Sequence, residues 1–313
     1  MSISARSSIR PNSARRVVGV PRTSVRKRPT PSPNQRKSWL ITCVTGFFLV
    51  YALFPLVWLL INSMKNRQDF VSTFGFAFGE KFSLWQNVVD VFTYNNGMFG
   101  RWLLNTLLYV VVGGGGAVFL AVFAGYGLAK YRFPGRGAVF MIVMGAIAVP
   151  MTALAVPTFL MFARIGITNT PFAVIIPSLV APFGLYLMYI FSAESVPTEI
   201  LEAARMDGAS ELRTFFQVSL PLLTPGIVTV SLFTATTTWN NYFLPLIMLK
   251  DPKWYPLTIG LNQWNQQAFI PGAEPVQNLV VMGSLLTIIP LIVTFLFLQR
   301  YWQAGLSAGS VKE

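Results

Sequence analysis

Residues 196–225 read VPTEILEAARMDGASELRTFFQVSLPLLTP. The stretch is a charged, amphipathic island between long apolar runs. It holds Glu199, Glu202, Asp207 and Glu211, in a chain with only 11 acidic residues in all. A helix can begin at Pro197, because proline is tolerated in a first helical turn, where its missing N–H costs little. Glu199 and Glu202 then lie near the positive end of that helix. Ile200, Leu201, Ala203, Ala204 and Asp207 follow at helical spacing, and Gly208 is a suitable C-terminal stop. Ser210 is placed to cap a second helix, through Leu212, Phe215, Phe216 and Val218 to Leu220-Pro221. The expected product is helix, glycine corner, helix, with a small-residue face (Ala203, Ala204, Gly208, Ala209) that admits another protein closely. It reads as a docking elbow and not as a catalytic site.

The flanking sequence says what kind of protein carries this elbow. The 313 residues are 53% hydrophobic and 11% charged, against roughly 25% charged in soluble domains. Apolar runs of about 20 residues recur, the length that crosses a hydrocarbon core of about 30 Å. The chain therefore reads as an all-α polytopic membrane protein with six transmembrane helices, over about 39–61, 103–129, 138–162, 171–191, 222–249 and 279–298. Together they form one transmembrane domain, 39–313. Pro55, Pro150, Pro157, Pro177, Pro182 and Pro290 fall inside these spans, and prolines free carbonyls that only protein or a watery cavity can satisfy. The elbow lies between the fourth and fifth spans.

Ahead of the spans, residues 1–38 hold ten Lys or Arg and no acid, out of a net charge of +13. This Ser/Pro/Arg-rich tail has too little apolar surface for a core and is expected to be disordered. A basic flank beside a span sits against anionic lipid, and that reading is preferred to a nucleic-acid arm. The run from Trp39 is too long for a cleaved signal and should remain as an anchor. Basic residues also set the orientation. With the tail inside, the inner segments hold 17 Lys or Arg and the outer segments 7, so both termini, and the elbow, are expected in the cytoplasm.

The chemistry of the spans is defined by what they lack. No Asp, Glu, Lys, Arg or His lies within the six runs, so a proton relay through this chain is not expected. Histidine is absent altogether and Cys43 is the one cysteine; this disfavours a metal centre and general-base catalysis and precludes an intrachain disulfide. No P-loop motif occurs, so the chain is expected to bind no ATP or other cofactor of its own. Gly113 to Gly116 lie mid-span without a lysine and read as small residues for close helix packing. Polar side chains concentrate in the fifth span, where Thr237, Asn240, Asn241 and Tyr242 line either the translocation path or a helix interface. The outer segment 62–102 includes FSLWQNVVDVF, which could form a short surface helix. Segment 250–278 is rich in Trp, Gln, Asn and Pro; its Trp254 and Trp264 suit either a partner or sugar surface or an interfacial aromatic belt.

Glu202-Ala203-Ala204, Asp207-Gly208-Ala209, Leu220-Pro221 and Pro225 together resemble the EAA signature of the inner-membrane permeases of ABC importers. Further segments are similar to the carbohydrate branch of that family, typified by the MalG subunit of maltose transport. They are Asn105-Thr106, Ala124-Gly125-Tyr126-Gly127-Leu128-Ala129-Lys130-Tyr131-Arg132-Phe133-Pro134-Gly135-Arg136, Trp239-Asn240-Asn241-Tyr242, and the tail from Gln299-Arg300-Tyr301 to Lys312. The resemblance covers residues 39–313; Gly127 departs from it, since relatives often carry alanine there. It implies a heterodimer with a second, homologous permease, two cytoplasmic ATPase subunits that bind the ATP, and an extracytoplasmic sugar-binding protein, in a bacterial or archaeal cytoplasmic membrane. It also implies that Glu202, Ala203, Ala204, Asp207 and Gly208 couple to the ATPase, and that Gly305, Leu306, Gly309 and Lys312 belong to an ATPase-contacting tail. The rival readings are a secondary carrier or facilitator without ATP coupling, which leaves the elbow unexplained, and a membrane enzyme, which the absence of histidine disfavours.

Because no packing pattern lies in the basic tail, deletion of residues 1–30 is expected to leave uptake in reconstituted liposomes largely intact. Loss of uptake at normal membrane abundance would contradict this reading.

Overall fold

An apolar chain in a bilayer must satisfy its backbone N–H and C=O groups internally, and helix is the only regular structure among the described residues. The computed structural model describes residues 39–309 except 273, with side chains over 39–299 except 273; the expectations for the 1–38 tail and for Lys312 lie outside the described residues. Close packing divides the chain into residues 1–51 and 52–313, a division that falls inside α1 (Trp39–Ser63). In the first unit, helical residues 39–51 are exposed apart from half-buried Gly46, with Phe47 and Phe48 edge to face at 5.7 Å.

In the second unit, α2 (Arg67–Ser72) is capped by Asn66, whose Oδ1 accepts the Asp69 N–H at 2.7 Å. In α3 (Leu84–Leu108) the helix is interrupted at Tyr94–Gly97, where Asn95, Asn96 and Gly97 take φ of 49°, 56° and 76°. Leu84–Thr93 is thus the short helix expected from FSLWQNVVDVF. From Met98 a continuous helix runs through a π-helical stretch, Tyr109–Gly114, into α4 (Gly115–Lys130). There follow α5 (Arg136–Ala148), α6 (Met151–Arg164), α7 (Phe172–Ser178) and α8 (Pro182–Ser195). The elbow comprises α9 (Thr198–Met206), α10 (Glu211–Thr214), a π turn over Phe215–Ser219, and α11 (Leu220–Leu222). Beyond it lie α12 (Thr224–Trp239), α13 (Phe243–Met248), a 3-10 turn at Pro252–Trp254, α14 (Leu257–Gln267) and α15 (Gln277–Gly309).

Four helical stretches are long and apolar enough to cross a membrane: Trp39–Ser63, Leu84–Lys130, Phe172–Ser195 and Gln277–Gln299; counting each of two bent pairs as one span gives six. One bend falls at Pro150, inside the expected third span, and the other at the start of the expected fifth. α5 and α6 meet at 102°, because Pro150 forces Val149 out of the helical region, to φ −84° and ψ 121°. The segment Glu211–Leu222 meets α12 at 76°, with Pro225 unable to donate a bond back across the joint. The fifth span also ends at Trp239, where the expected run continued to residue 249.

Close helix crossings hold the unit together, and α4 against α8 is the most extensive of them. A Cβ at Gly125 would lie 2.7 Å from the Tyr189 nitrogen and 2.9 Å from the Leu185 carbonyl oxygen, closer than real contacts allow. The glycine run farther up the same rod serves packing as expected. A Cβ at Gly113 would press on Ser178 and one at Gly114 on Thr238, whereas Gly115 has open space. Around the α4/α8 crossing, Val122, Tyr126, Met188, Val196, Leu201, Phe215, Leu223 and Val230 form a buried cluster. A second cluster, containing Phe99, Trp102, Trp239, Leu257, Trp264 and Met282, lies around α3, α14 and α15.

Gly125→Ala is expected to lower the thermal midpoint of the purified protein, at a cost of about 1–3 kcal/mol for overpacking. Gly127→Ala, which meets nothing within 4 Å, should be neutral or stabilising by about 0.5–1 kcal/mol. Equal midpoints for the two variants would contradict the crossing.

Candidate functional site

The elbow is shaped by local turn chemistry. Pro197 is the N-cap of α9, at φ −62° and ψ 140°, so the helix starts one residue after the expected position. Its C-terminus closes as a Schellman motif: the Ala209 N–H bonds the Ala204 carbonyl and the Gly208 N–H bonds the Arg205 carbonyl, both at 3.0 Å. That closure requires the left-handed backbone of Gly208, φ 79°, a conformation in which a Cβ is strained. Ser210 then caps α10, its Oγ accepting the Arg213 N–H at 3.4 Å.

One side of the elbow is anchored and the other is open. Val196, Leu201, Phe215 and Leu223 are buried in the α4/α8/α12 cluster. Glu202, Ala203, Asp207 and Gly208 are exposed and Ala204 is half-buried, so the expected coupling residues lie together with most of their surface free. Met206 and Leu212 beside them are 89% and 68% exposed, far more than apolar side chains of a finished surface require. Among the described residues, no ion pair engages Glu199, Glu202 or Asp207. The arrangement offers an apolar patch with unpaired carboxylates, suited to a partner presenting a hydrophobic pocket and cations.

The structure adds residues that sequence reasoning missed. Glu211 accepts from Arg205 Nε at 2.7 Å and from the Tyr131 hydroxyl at 2.6 Å, so the corner is braced to the end of α4. The Glu211 hydrogen bond, with the carboxylate charge, raises Arg205 above its ordinary value. Burial, then the Glu211 bond, pushes the Tyr131 hydroxyl up, which keeps it a donor across the physiological range. Lys130 donates from Nζ to the carbonyls of Ala193 and Val196, at the carboxyl end of α8 and the entry to the elbow, where a cation also complements the helix dipole. The only sequence signal was the quoted Lys130-Tyr131 pair, which carried no partner.

The four candidate path residues gather at a chain break. Thr237 is exposed and bonds back to the Thr234 carbonyl at 3.0 Å. Asn240 ends α12 and its Nδ2 bonds the Thr236 carbonyl at 2.9 Å, while the Asn241 carbonyl accepts from Thr258 Oγ1 at 2.9 Å. The Tyr242 hydroxyl contacts Asn262 Oδ1 at 3.3 Å, an atom that also accepts from Gln266 Nε2 at 2.9 Å. Asn240, Asn241 and Tyr242 thus join α12 to α13 instead of continuing the helix. The Asn240 amide bonds back to its own helix, whereas Asn241 engages through its backbone carbonyl.

Elsewhere, Gly305, Leu306 and Gly309 fall in the last turns of α15. Trp264 is neither a belt nor a partner residue: it is 2% exposed, packed on Trp102, Tyr94 and Phe99. Trp254 is half-buried, with Arg101 and Lys253 over its ring at 5.7 and 5.4 Å.

The profile of the family described as "Binding-protein-dependent transport system inner membrane component" matches residues 117–307. The chain is 30% identical over 276 residues to the arabinooligosaccharides transport system permease protein AraQ of Halalkalibacterium halodurans, covering 88% of this chain and 96% of that protein. It is 25% identical over 288 residues to the diacetylchitobiose uptake system permease protein NgcG of Streptomyces coelicolor, covering 91% and 92%. A chain from the crystal structure of a bacterial ABC transporter involved in the import of the acidic polysaccharide alginate shares the fold. Its TM-score is 0.75 at 24% identity, covering 88% of this chain and 100% of that one.

Leu201→Ala should release α9 from its buried seat, at a cost of about 2–5 kcal/mol, and accelerate amide hydrogen exchange across residues 198–206. Met206→Ala on the open side should leave exchange unchanged. The reverse pattern would mean that the anchored and open sides have been exchanged.

Proposed function

The chain belongs to the binding-protein-dependent transport system inner membrane component family, and from that premise we propose that it is the permease subunit of an ATP-driven importer that moves a carbohydrate across the cytoplasmic membrane by alternating access. The observation that carries the proposal is the elbow. Its inner side is locked to three long helices, and its outer side presents Glu202, Asp207 and the Gly208 corner unpaired. A helix pair held in this way transmits a rigid-body displacement. Glu202 and Asp207 are available for charge-assisted contacts with an ATPase subunit, and Ala203 and Gly208 let that subunit approach closely. The spans as first drawn contain no Asp, Glu, Lys, Arg or His and the sequence has no P-loop motif, which supports an energy source on a separate subunit.

The assembly consists of this permease, a second homologous permease, two ATPase subunits carrying the ATP, and an extracytoplasmic binding protein. The excess of basic residues in the segments assigned to the inside orients both termini, and the elbow, to the cytoplasm of a bacterial or archaeal cell. Relatives named for arabinooligosaccharides and diacetylchitobiose support an oligosaccharide as cargo. Amides and a phenol at the α12–α13 break, Asn240, Asn241 and Tyr242, supply paired donors and acceptors of the kind that recognise sugar hydroxyls.

Gly208→Leu and Glu202→Lys are expected to lower ATP-dependent uptake by at least about tenfold, equivalent to losing about 1.4 kcal/mol of docking free energy, with the permease still in the membrane. A complex carrying either change that kept its full ATPase subunit and normal substrate-stimulated hydrolysis would refute the assignment.

A further inference from the structure

A polar cavity of about 360 Å³ opens between Arg67 at the start of α2, the Leu84–Thr93 part of α3 and residues 274–279 at the entry to α15. That volume lies within the range of small-molecule sites. The lining falls in the segments 62–102 and 250–278 assigned to the outside, and at the start of the sixth span. It shares no residue with the α12–α13 break.

Most of the lining is polar, and several of its side chains are held by one edge with the other edge free. Asn87, 2% exposed, is fixed through Nδ2, which donates to the Ser63 and Lys65 carbonyls at 2.8 and 2.7 Å. Its Oδ1 lies 3.5 Å from Asn278 Nδ2; Asn278 is 8% exposed, and its own Oδ1 accepts nothing among the described residues. Gln86 Nε2 donates to Asp90 Oδ1 at 2.8 Å, which leaves Gln86 Oε1 and Asp90 Oδ2 open. The Tyr94 hydroxyl accepts from Gln267 at 3.1 Å and keeps its proton free to donate. Its ring stands edge to Trp264 at 5.3 Å, so this wall of the cavity is fixed. Groups positioned on one side and unpartnered on the other are pre-organised for a ligand.

Charge narrows the class of that ligand. Arg67, Asp90 and Glu274 surround one cavity, yet none of them belongs to an ion pair among the described residues. The guanidinium disfavours a metal cation, and the two carboxylates disfavour an anion. A neutral solute that both donates and accepts fits the set: Arg67 and Tyr94 supply donors, and Gln86, Asp90, Glu274 and Asn278 supply acceptors. A sugar hydroxyl does both at once, and the fixed Tyr94 ring offers a flat face to the C–H side of a sugar ring. We propose that this cavity is a saccharide site, taking the end of an oligosaccharide through its ring hydroxyls. The inference rests on the carbohydrate reading of the cargo given above and adds a second place of contact, separate from Asn240, Asn241 and Tyr242. Asp90 is its central acceptor, because a bond from a sugar hydroxyl to the open Oδ2 is charge-assisted.

The test titrates the purified permease complex, without binding protein, with arabinotriose and with N,N′-diacetylchitobiose, following saturation transfer to the sugar by NMR. The wild type should bind one of the two. Asp90→Ala should weaken that binding at least about tenfold, the order of one hydrogen bond to a charged group, at an unchanged melting midpoint. If Asp90→Ala lowers the midpoint, Arg67→Ala decides instead, since that side chain is exposed and has no hydrogen bond among the described residues; it should weaken binding by a similar factor. Unchanged affinity in the deciding variant would overturn the site, and loss in Tyr242→Phe alone would place the sugar at the α12–α13 break. Absence of binding by a wild-type complex that takes up either sugar would equally overturn it. A wild-type complex that takes up neither sugar, with ATP and binding protein supplied, would instead overturn the carbohydrate reading, and the site with it.

Discussion

The approach of α4 to the backbone of α8 at Gly125 is the contact on which the elbow depends. Only a residue without a side chain allows the two axes to come so close that the Tyr189 nitrogen and Leu185 carbonyl line the gap. That spacing brings the end of α4 beside the end of α8. Lys130 can then reach the carbonyls of Ala193 and Val196, and Tyr131 can reach Glu211. Farther apart, the elbow would lose these polar ties and be held by its chain ends and buried side chains such as Leu201 and Phe215. In a bilayer no hydrophobic force drives helices together, so close packing through small residues is the available means of fixing them.

The second constraint is the satisfaction of backbone groups where helices break. The chain breaks at 94–97, 149–150, 179–181 and 240–241, and each break releases carbonyls that must find partners within the protein or water. At 240–241 the Asn241 carbonyl accepts from Thr258 Oγ1, while the Thr236 carbonyl accepts both the backbone N–H and the side-chain amide of Asn240. The Tyr242 hydroxyl just beyond the break reaches Asn262, which also accepts from Gln266. Polar side chains thus gather beside apolar helices with no Asp, Glu, Lys, Arg or His among them.

Much of this was legible in the sequence, and the division follows physical range. The elbow was readable because its determinants are local: a proline at the start, a glycine in the left-handed region and a serine three residues before the N–H it caps. Six apolar runs were readable from length alone. The sharpness of the bend at Pro150 was not, since a proline inside an apolar run permits a kink or a full turn according to what packs on it. Trp264 was misread because neighbouring amides made the segment look like a surface, while the rings that bury it, Trp102 and Phe99, lie more than 150 residues earlier. The bond from Tyr131 to Glu211 spans 80 residues and has no trace in either local pattern.

The distribution of charge supports a separation between moving and gripping parts. Interactions that must hold through a transport cycle are buried or doubly tied, as with Leu201, Lys130 and the Tyr131–Glu211–Arg205 set. Glu202, Asp207, Met206 and Leu212, which the proposed function assigns to a partner, are left open. An open carboxylate at the first turns of a helix adds little to the stability of the isolated chain, because exposed pairs are worth at most about 1 kcal/mol. The same carboxylate gains strength once a partner excludes water from it. The elbow is thus stiff in itself and adhesive only when covered, the combination that the proposed docking of an ATPase subunit requires.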